Sequence, residues 1–177
     1  MEQETPAPII RILKIGTCPT LSGKGKLEYH IGHEPNDGIC FRMTSSSGGG
    51  FFSPEWVSLK AIQAAAENAP RPITSFSLFQ LFRGKSVNTP GYLFAALLAE
   101  GLVQRDEENP RVYVCCPPDT FLAEIKQLID AGTDLKVAAK ITGKGVVKKG
   151  RKPLDIVPVM TKSRGRPKKA KPEVNKS

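Results

Sequence analysis

The distribution of charge along the chain limits where a folded core can form. Of the 177 residues, 136–177 carry 14 Lys+Arg, 2 Asp+Glu and no aromatic residue, which gives a net charge of +12. Residues 1–135 carry 12 Lys+Arg and 15 Asp+Glu, a net charge of −3. A segment so basic and so poor in large apolar side chains buries too little surface to offset its ordering entropy. We therefore expect a folded, mildly acidic body over 1–135 and a disordered basic tail over 136–177.

The body has the composition of a soluble protein in a reducing compartment. The whole chain is 40% hydrophobic, which is enough for one core of ordinary size. Its four Cys and its acidic start, Met1-Glu2-Gln3-Glu4, favour free thiols and do not resemble a secretory signal. No apolar run approaches the ~20 residues of a membrane span. We expect a cytoplasmic protein with no membrane partner.

The first part of the body has the alternation typical of β-strands. Apolar and polar residues alternate, or β-branched residues cluster, over 9–15, 26–31 and 39–43. Residues 22–25 and 34–38 supply the Gly, Pro and Asn/Asp that hairpin turns require. We predict a three-stranded antiparallel meander within a domain of residues 1–52.

From residue 53 the hydrophobic period becomes helical. Ser53-Pro54 predicts a first helix start, Thr74 or Ser75 a second and Asn88-Thr89-Pro90 a third, while Gly84 and Gly101 predict helix ends. Phe76, Phe79, Leu81 and Phe82 are predicted to be packing residues. Strands over 102–105 and 111–115 then predict a hairpin, and a last helix is expected from about Asp119 to Ala131, ended by Gly132. The predicted fold class is α+β.

This order of elements resembles the winged helix-turn-helix fold. The local likeness covers residues 73–114: a short helix, a polar turn, a helix leaving through Glu100-Gly101-Leu102-Val103, and a hairpin wing. The resemblance implies a winged-helix-like domain over 53–135, packed on the meander. It also implies that the exposed start of the recognition helix reads base edges, while Arg83 and Arg111 contact the DNA backbone. The base-reading residues would be Lys85, Ser86, Asn88, Thr89 and Tyr92. A mixed α+β domain whose helices merely pack on the meander remains the alternative.

The tail contains a short motif that resembles an AT-hook. Arg164-Gly165-Arg166-Pro167 matches the core of that motif, and Lys168 and Lys169 follow it. Gly165 lacks a Cβ, so the backbone can lie on the floor of a minor groove only about 6 Å wide. Arg164 and Arg166 would extend along the groove, where narrow A·T tracts concentrate negative potential. The Lys residues would contact phosphates.

A weaker copy of this motif lies upstream, at residues 148–153. Lys149 stands in place of the first Arg, and Lys152 is inserted between Arg151 and Pro153. Lys149, Gly150, Arg151 and Lys152 are candidate DNA contacts nevertheless. The alternative for both copies is a solvated basic tail that targets or solubilises the protein.

No residue pattern in the chain indicates an enzyme. The Gly-Lys pairs at 23–24 and 84–85 lack the spacing of a phosphate-binding loop. His30, His33 and the four Cys contain no C-x-x-C pair that would anchor a tetrahedral metal site. We expect no catalytic residue, no metal and no cofactor.

The sequence therefore predicts a non-enzymatic DNA-binding protein, either a transcription regulator or an architectural, nucleoid-type factor. Its expected partner is double-stranded, A·T-rich DNA, and its expected place is the nucleoid, or the nucleus in a eukaryotic host. A homodimer or a protein partner is left open. The first alternative is a protein-interaction module whose basic tail tethers its partner to nucleic acid. RNA binding is a third interpretation, which ranks lower because single-strand readers stack bases on exposed aromatics and the aromatics here fall mostly on core-facing positions.

Overall fold

The computed structural model of the chain describes residues 9–36 and 38–136. The chain divides into two units, Met1–Gly145 and Val146–Ser177. All described residues belong to the first unit, which is α+β, with an antiparallel meander followed by helices, as the sequence predicts.

The meander is one sheet with the strand order β1-β2-β3-β4. Its strands are β1 (Arg11–Pro19), β2 (Lys26–Glu34), β3 (Gly38–Ser46) and β4 (Val57–Ser58). The prediction of three strands was one short, because Phe41 pairs with Val57 and Cys40 with Ser58. At the other edge of the sheet, the backbone N–H of Leu135 donates to the carbonyl of Ile12 at 2.8 Å.

The first helix begins later than predicted. α1 spans Leu59–Glu67 and its N-cap is Ser58, whose hydroxyl accepts a hydrogen bond from the Ala61 N–H at 3.3 Å. The predicted start at Ser53-Pro54 was wrong. The Ser53 N–H donates instead to the Thr89 hydroxyl at 2.8 Å, and residues 57–58 are used by the sheet.

The second and third helices lie where the sequence places them. A 3-10 helix, Ser75–Phe82, is capped by the Thr74 side chain, and α2 spans Thr89–Ala99 with Pro90 in its first turn. The hairpin that follows consists of β5 (Val103–Arg105) and β6 (Tyr113–Cys115). Both strands are shorter than predicted, and Ile73 forms an isolated antiparallel bridge to Tyr113 beside them.

The last helix, α3, spans Asp119–Asp130, one residue shorter than predicted. Glycines with positive φ follow three helices, as predicted, with φ of 77° at Gly84, 72° at Gly101 and 66° at Gly132. This conformation suits glycine because it lacks a Cβ.

The core of the described residues is one continuous cluster. It joins Leu13, Ile31 and Phe41 of the sheet to residues of every helix. The aromatic ring of Phe41 stacks on Phe121 of α3 with ring centroids 5.8 Å apart. α2 packs against the 3-10 helix and against β1 and β3, so this helix lies at the centre of the body.

Candidate nucleic-acid interface

Most of the predicted DNA contacts lie outside the described residues. These are the two tail motifs, namely Lys149, Gly150, Arg151 and Lys152 upstream, and Arg164, Gly165, Arg166, Pro167, Lys168 and Lys169 downstream. Within the described residues, the five predicted base-reading residues lie at or just before the start of α2, and Arg83 and Arg111 are the predicted backbone contacts.

Two of these five residues are buried. Ser86 is 7% exposed and Thr89 is 1% exposed. The Ser86 hydroxyl accepts hydrogen bonds from the N–H groups of Asn88 and Thr89, both at 3.2 Å, and donates to the Phe51 carbonyl at 3.3 Å. The Thr89 hydroxyl accepts from Ser53. The expectation that Ser86 and Thr89 are exposed was therefore wrong, since both hydroxyls bind the segment at 51–53.

The side chains of the other three residues remain at least partly exposed to solvent. Lys85 is exposed, and its ammonium group forms an ion pair with the Glu55 carboxylate at 2.6 Å. Asn88 is half-buried, and its side-chain amide donates to the Phe51 carbonyl at 2.9 Å. The ring of Tyr92 lies tilted against Phe52 with centroids 6.5 Å apart. The side chains of Asn88 and Tyr92 thus already contact residues 51–52 of the protein itself.

α2 itself is covered along most of its length. Seven of its eleven residues are buried, and Ala99 is its one exposed position. A recognition helix needs a free face to enter a major groove about 12 Å wide. In the described part of the chain, the sheet and the 3-10 helix leave α2 no such face.

The hairpin wing carries acidic residues at its tip. The Asp106 carboxylate accepts from the N–H groups of Glu108 and Asn109 at 3.0 and 2.9 Å, which fixes the turn. Arg105 lies over the Tyr113 ring, and its guanidinium donates to the carbonyls of Pro110 and Leu21. Arg83 and Arg111 are both exposed. Glu107 and Glu108 are exposed as well and would repel a phosphate backbone.

Sequence reasoning missed an exposed aromatic surface beside the start of α2. We call it the aromatic face and define it by Phe51, Phe76, Phe79 and Val87. Phe76 is 73% exposed, Val87 77% and Phe51 48%, whereas Phe79 is half-buried. The prediction that Phe76 is a packing residue was wrong. Residues three apart eclipse in a 3-10 helix, so Phe76, Phe79 and Phe82 form one row that runs from solvent into the core.

A buried carboxylate at the C-terminal end of α2 joins four elements. The Glu100 side chain is 4% exposed and accepts hydrogen bonds from the Tyr29 hydroxyl and, at 2.9 Å, from the Lys14 ammonium. Lys14 also binds Glu124 of α3 at 2.9 Å. Burial and the hydrogen bond to Glu100 raise the pKa of Tyr29. Burial lowers the pKa of Lys14, but its bonds to Glu100 and Glu124 outweigh that effect and raise it overall.

The thiol of Cys18 lies close to the same carboxylate. Burial, with a smaller effect of the Glu100 charge, raises the pKa of Cys18 to about 11. At neutral pH this thiol is protonated, which makes it a poor nucleophile. The arrangement therefore serves to connect β1, β2, α2 and α3.

The remaining cluster of titratable groups lies on the outer face of the sheet. Arg42 stacks over the Trp56 ring at 4.5 Å and contacts the His30 Nδ1 at 3.2 Å. Burial and the charge of Arg42 lower the pKa of His30. Within 9–36 and 38–136, no group of three or more His, Cys, Asp and Glu residues is placed to hold a metal ion.

Over the same described residues, no helix has the length and apolarity needed to cross a membrane. No protein-family model, no curated protein and no solved structure matches the chain.

Proposed function

We propose that the protein is a non-enzymatic DNA-binding protein, a transcription regulator or an architectural factor, whose duplex contacts lie in the basic C-terminal segment. The observation that carries this proposal is the segregation of charge. A net charge of +12 is confined to 136–177, and the Arg-Gly-Arg-Pro core lies within that segment. Such a segment supplies phosphate affinity wherever the body lies.

The double-stranded partner is A·T-rich, because Arg164 and Arg166 suit the narrow minor groove of A·T tracts. A protein of this kind acts in the cytoplasm on the nucleoid, or in the nucleus of a eukaryotic host. It requires no metal or cofactor for binding.

The body is a variant of the winged-helix fold. The order of α1, the 3-10 helix, α2 and the hairpin supports this assignment, and the isolated bridge from Ile73 to Tyr113 lies beside the two-stranded sheet as a further point of pairing. The buried α2 and the acidic hairpin tip argue that this body does not insert a helix into duplex DNA. In this proposal its role is to orient the tail, to dimerise or to contact the duplex through exposed side chains such as Lys85.

The tail motif is tested by comparing three variants of the full chain on A·T-rich and G·C-rich duplexes. Arg166→Ala and Gly165→Glu disturb insertion into the groove, whereas Lys171→Ala removes one exchangeable phosphate contact. We expect the first two variants to lose the preference for A·T-rich DNA and the third to keep it. Equal effects of all three on both duplexes would reduce the motif to a generic basic segment.

A second candidate function has its own supporting observations. The acidic hairpin tip, the buried α2 and the aromatic face favour a body that binds another macromolecule while the tail tethers it to DNA. Lys85→Glu separates the two candidates, because Lys85 is exposed at the start of α2. If the body contacts the duplex, this variant weakens binding. Unchanged duplex affinity in a folded Lys85→Glu variant favours the tethering module.

A further inference from the structure

The aromatic face lies where a winged-helix protein would meet DNA. A depression of about 330 Å³ is formed there by the turn after β1, the 3-10 helix and the start of α2. A second depression, of about 320 Å³, adjoins it and is lined by Phe51, Phe79 and Val87. We propose that this face binds the unpaired bases of a single-stranded nucleic acid. This inference rests on the proposed nucleic-acid function and assigns a ligand to the body.

The geometry of the two rings suits stacking. Phe76 and Phe79 are stacked with centroids 5.1 Å apart and an interplanar angle of 9°. Phe76 is 73% exposed, so the ring face that points away from Phe79 is open to solvent. A nucleobase placed on that ring continues an existing stack. Base stacking on an aromatic side chain contributes about 1–3 kcal/mol and tolerates any base.

The side chains around the face fit a polyanion. Among the described residues, no acidic side chain lines either depression. Lys85 lines the second depression, and Arg83, two residues before it in sequence, is exposed. Arg105 donates to the carbonyl of Leu21, a residue that lines the first. A phosphate backbone that follows the stacked bases thus meets cations at the edge of the face.

The ion pair of Lys85 does not prevent this role. The side chains of Lys85 and Glu55 are 51% and 50% exposed, and exposed pairs contribute about 0–1 kcal/mol. A phosphate can therefore replace the Glu55 carboxylate at little energetic cost.

Duplex DNA does not fit the same surface. In a duplex the bases present their edges in the grooves, whereas their ring faces are covered by neighbouring bases. Phe76 and Val87 offer apolar surface without the hydrogen-bonding groups that read base edges. Ring faces become available only in single strands, which proteins bind on exposed aromatic side chains.

The experiment measures binding of the full chain to a fluorescently labelled oligothymidylate and to an A·T-rich duplex by anisotropy, at a salt concentration that screens long-range attraction. We expect Phe76→Ala to weaken binding to the single strand about tenfold, since tenfold corresponds to about 1.4 kcal/mol. Its duplex affinity should not change. Phe76→Trp keeps an aromatic ring and should retain single-strand binding. Leu122→Ala on α3, where Leu122 is 37% exposed, is the matched control and should change neither affinity.

Unchanged single-strand affinity in a folded Phe76→Ala variant would overturn the inference. Self-association through this face would overturn it as well. In that case, analytical sedimentation would show that Phe76→Ala makes the chain monomeric, and single-strand binding would be unaffected. A peptide that binds this face without competing with the oligothymidylate would also contradict it. Failure of the proposed tail function is detected separately, by the affinity of the full chain and of the Arg166→Ala variant for the A·T-rich duplex.

Discussion

At the scale of single residues, the start of α2 depends on two buried hydroxyl groups. The Ser86 hydroxyl accepts the N–H groups of Asn88 and Thr89 and donates to the Phe51 carbonyl, and the Thr89 hydroxyl accepts the N–H of Ser53. The bonds to Phe51 and Ser53 tie the start of α2 to the segment that leaves the sheet. Because that segment and α2 are more than 30 residues apart in sequence, these bonds fix tertiary structure as well as the helix start.

We predict that Ser86→Ala destabilises the protein by about 1–2 kcal/mol, because it removes the hydrogen bonds of a buried hydroxyl to the backbone of Asn88, Thr89 and Phe51. Thermal unfolding should show a decrease in Tm of roughly 2–4 °C per kcal/mol. Lys85→Ala is the control, since its exposed ion pair contributes about 0–1 kcal/mol. A Ser86→Ala protein with unchanged Tm but weaker duplex binding would restore the base-reading role.

The residue scale also shows what sequence alone leaves undecided. Short polar residues before a helix suit an N-cap and a base contact equally well. The choice depends on what covers the helix start, here the residues at 51–53. Phe76 is the converse case: its apolar character predicts burial, but its place at the outer end of the aromatic row leaves it in solvent. The capping sites at Thr74 and the stops at three glycines were predictable because they are local.

The buried groups around Glu100 make the stability of the protein decrease at alkaline pH. The folded state favours the neutral forms of Cys18 and Tyr29, because burial raises both pKa values, and it favours charged Lys14. For each group the folded pKa is above the unfolded one. Their stabilising contributions are therefore complete below the unfolded pKa and are lost as pH rises through the folded pKa.

We predict that the free energy of unfolding decreases first because of Cys18, as pH rises from the unfolded pKa of this thiol, 9.0, towards its folded pKa of about 11. One group contributes at most about 1.4 kcal/mol per pH unit. Cys18→Ala should remove the fall that begins near pH 9.0, whereas Cys115→Ala, which removes an exposed thiol, should leave it in place. Denaturant unfolding across this pH range measures both. The assignment fails if the two variants show the same pH dependence.

At the scale of elements, the pairing of β1 with β2 brings a glycine under an aromatic ring. Gly16 lies directly opposite Tyr29 in the register, and a Cβ at residue 16 would lie 2.2 Å from a ring carbon of Tyr29. The ring can reach Glu100 only because this space is free. Alternation predicts the strands, but it does not reveal that one strand needs a glycine at this position.

We predict opposite effects for two glycine substitutions. Gly16→Ala should destabilise the protein by about 1–3 kcal/mol, because the Tyr29 ring must move away from Glu100. Gly91→Ala in α2 should stabilise it by up to about 1 kcal/mol, since a Cβ there has no neighbour within 4 Å and alanine favours the helix. Chemical denaturation compares the two variants. A Gly16→Ala protein as stable as the unsubstituted one would show that the ring does not occupy the space over Gly16.

The boundaries of elements were predictable where local signals act alone. The meander, the turn residues and α3 follow from periodicity and from glycine positions. The start of α1 does not, because a Ser-Pro pair at 53–54 carries the same local signal as a true N-cap. What decides is the competition for backbone groups: β3 pairs with residues 57–58, and Thr89 takes the Ser53 N–H. Such competition involves partners far away in sequence.

At the scale of the whole molecule, the chain combines a body of net charge −3 over 1–135 with a segment of net charge +12. Charge and composition alone define that division, since they need no knowledge of packing. The aromatic face was not predictable in this way, because it arises where the sheet edge, the 3-10 helix and α2 meet. If both proposals hold, the tail binds duplex DNA and the body binds a single strand, and tethering makes the second contact intramolecular.

The last prediction concerns the two tail motifs together, which lie outside the described residues and are argued from chain length. Gly150 and Gly165 are fifteen residues apart, and a chain of that length can span at most about 50 Å. Minor-groove openings on one face of a duplex recur about every 34 Å, so both motifs can bind one duplex.

We predict that the full chain prefers two A·T tracts one helical turn apart over a single tract. Neutralising Lys148, Lys149, Arg151 and Lys152 should abolish that preference and reduce the salt slope by about 0.9 for each phosphate that is no longer neutralised, measured by anisotropy across salt concentrations. Equal affinity for one and two tracts, with an unchanged slope, would make the upstream copy a linker.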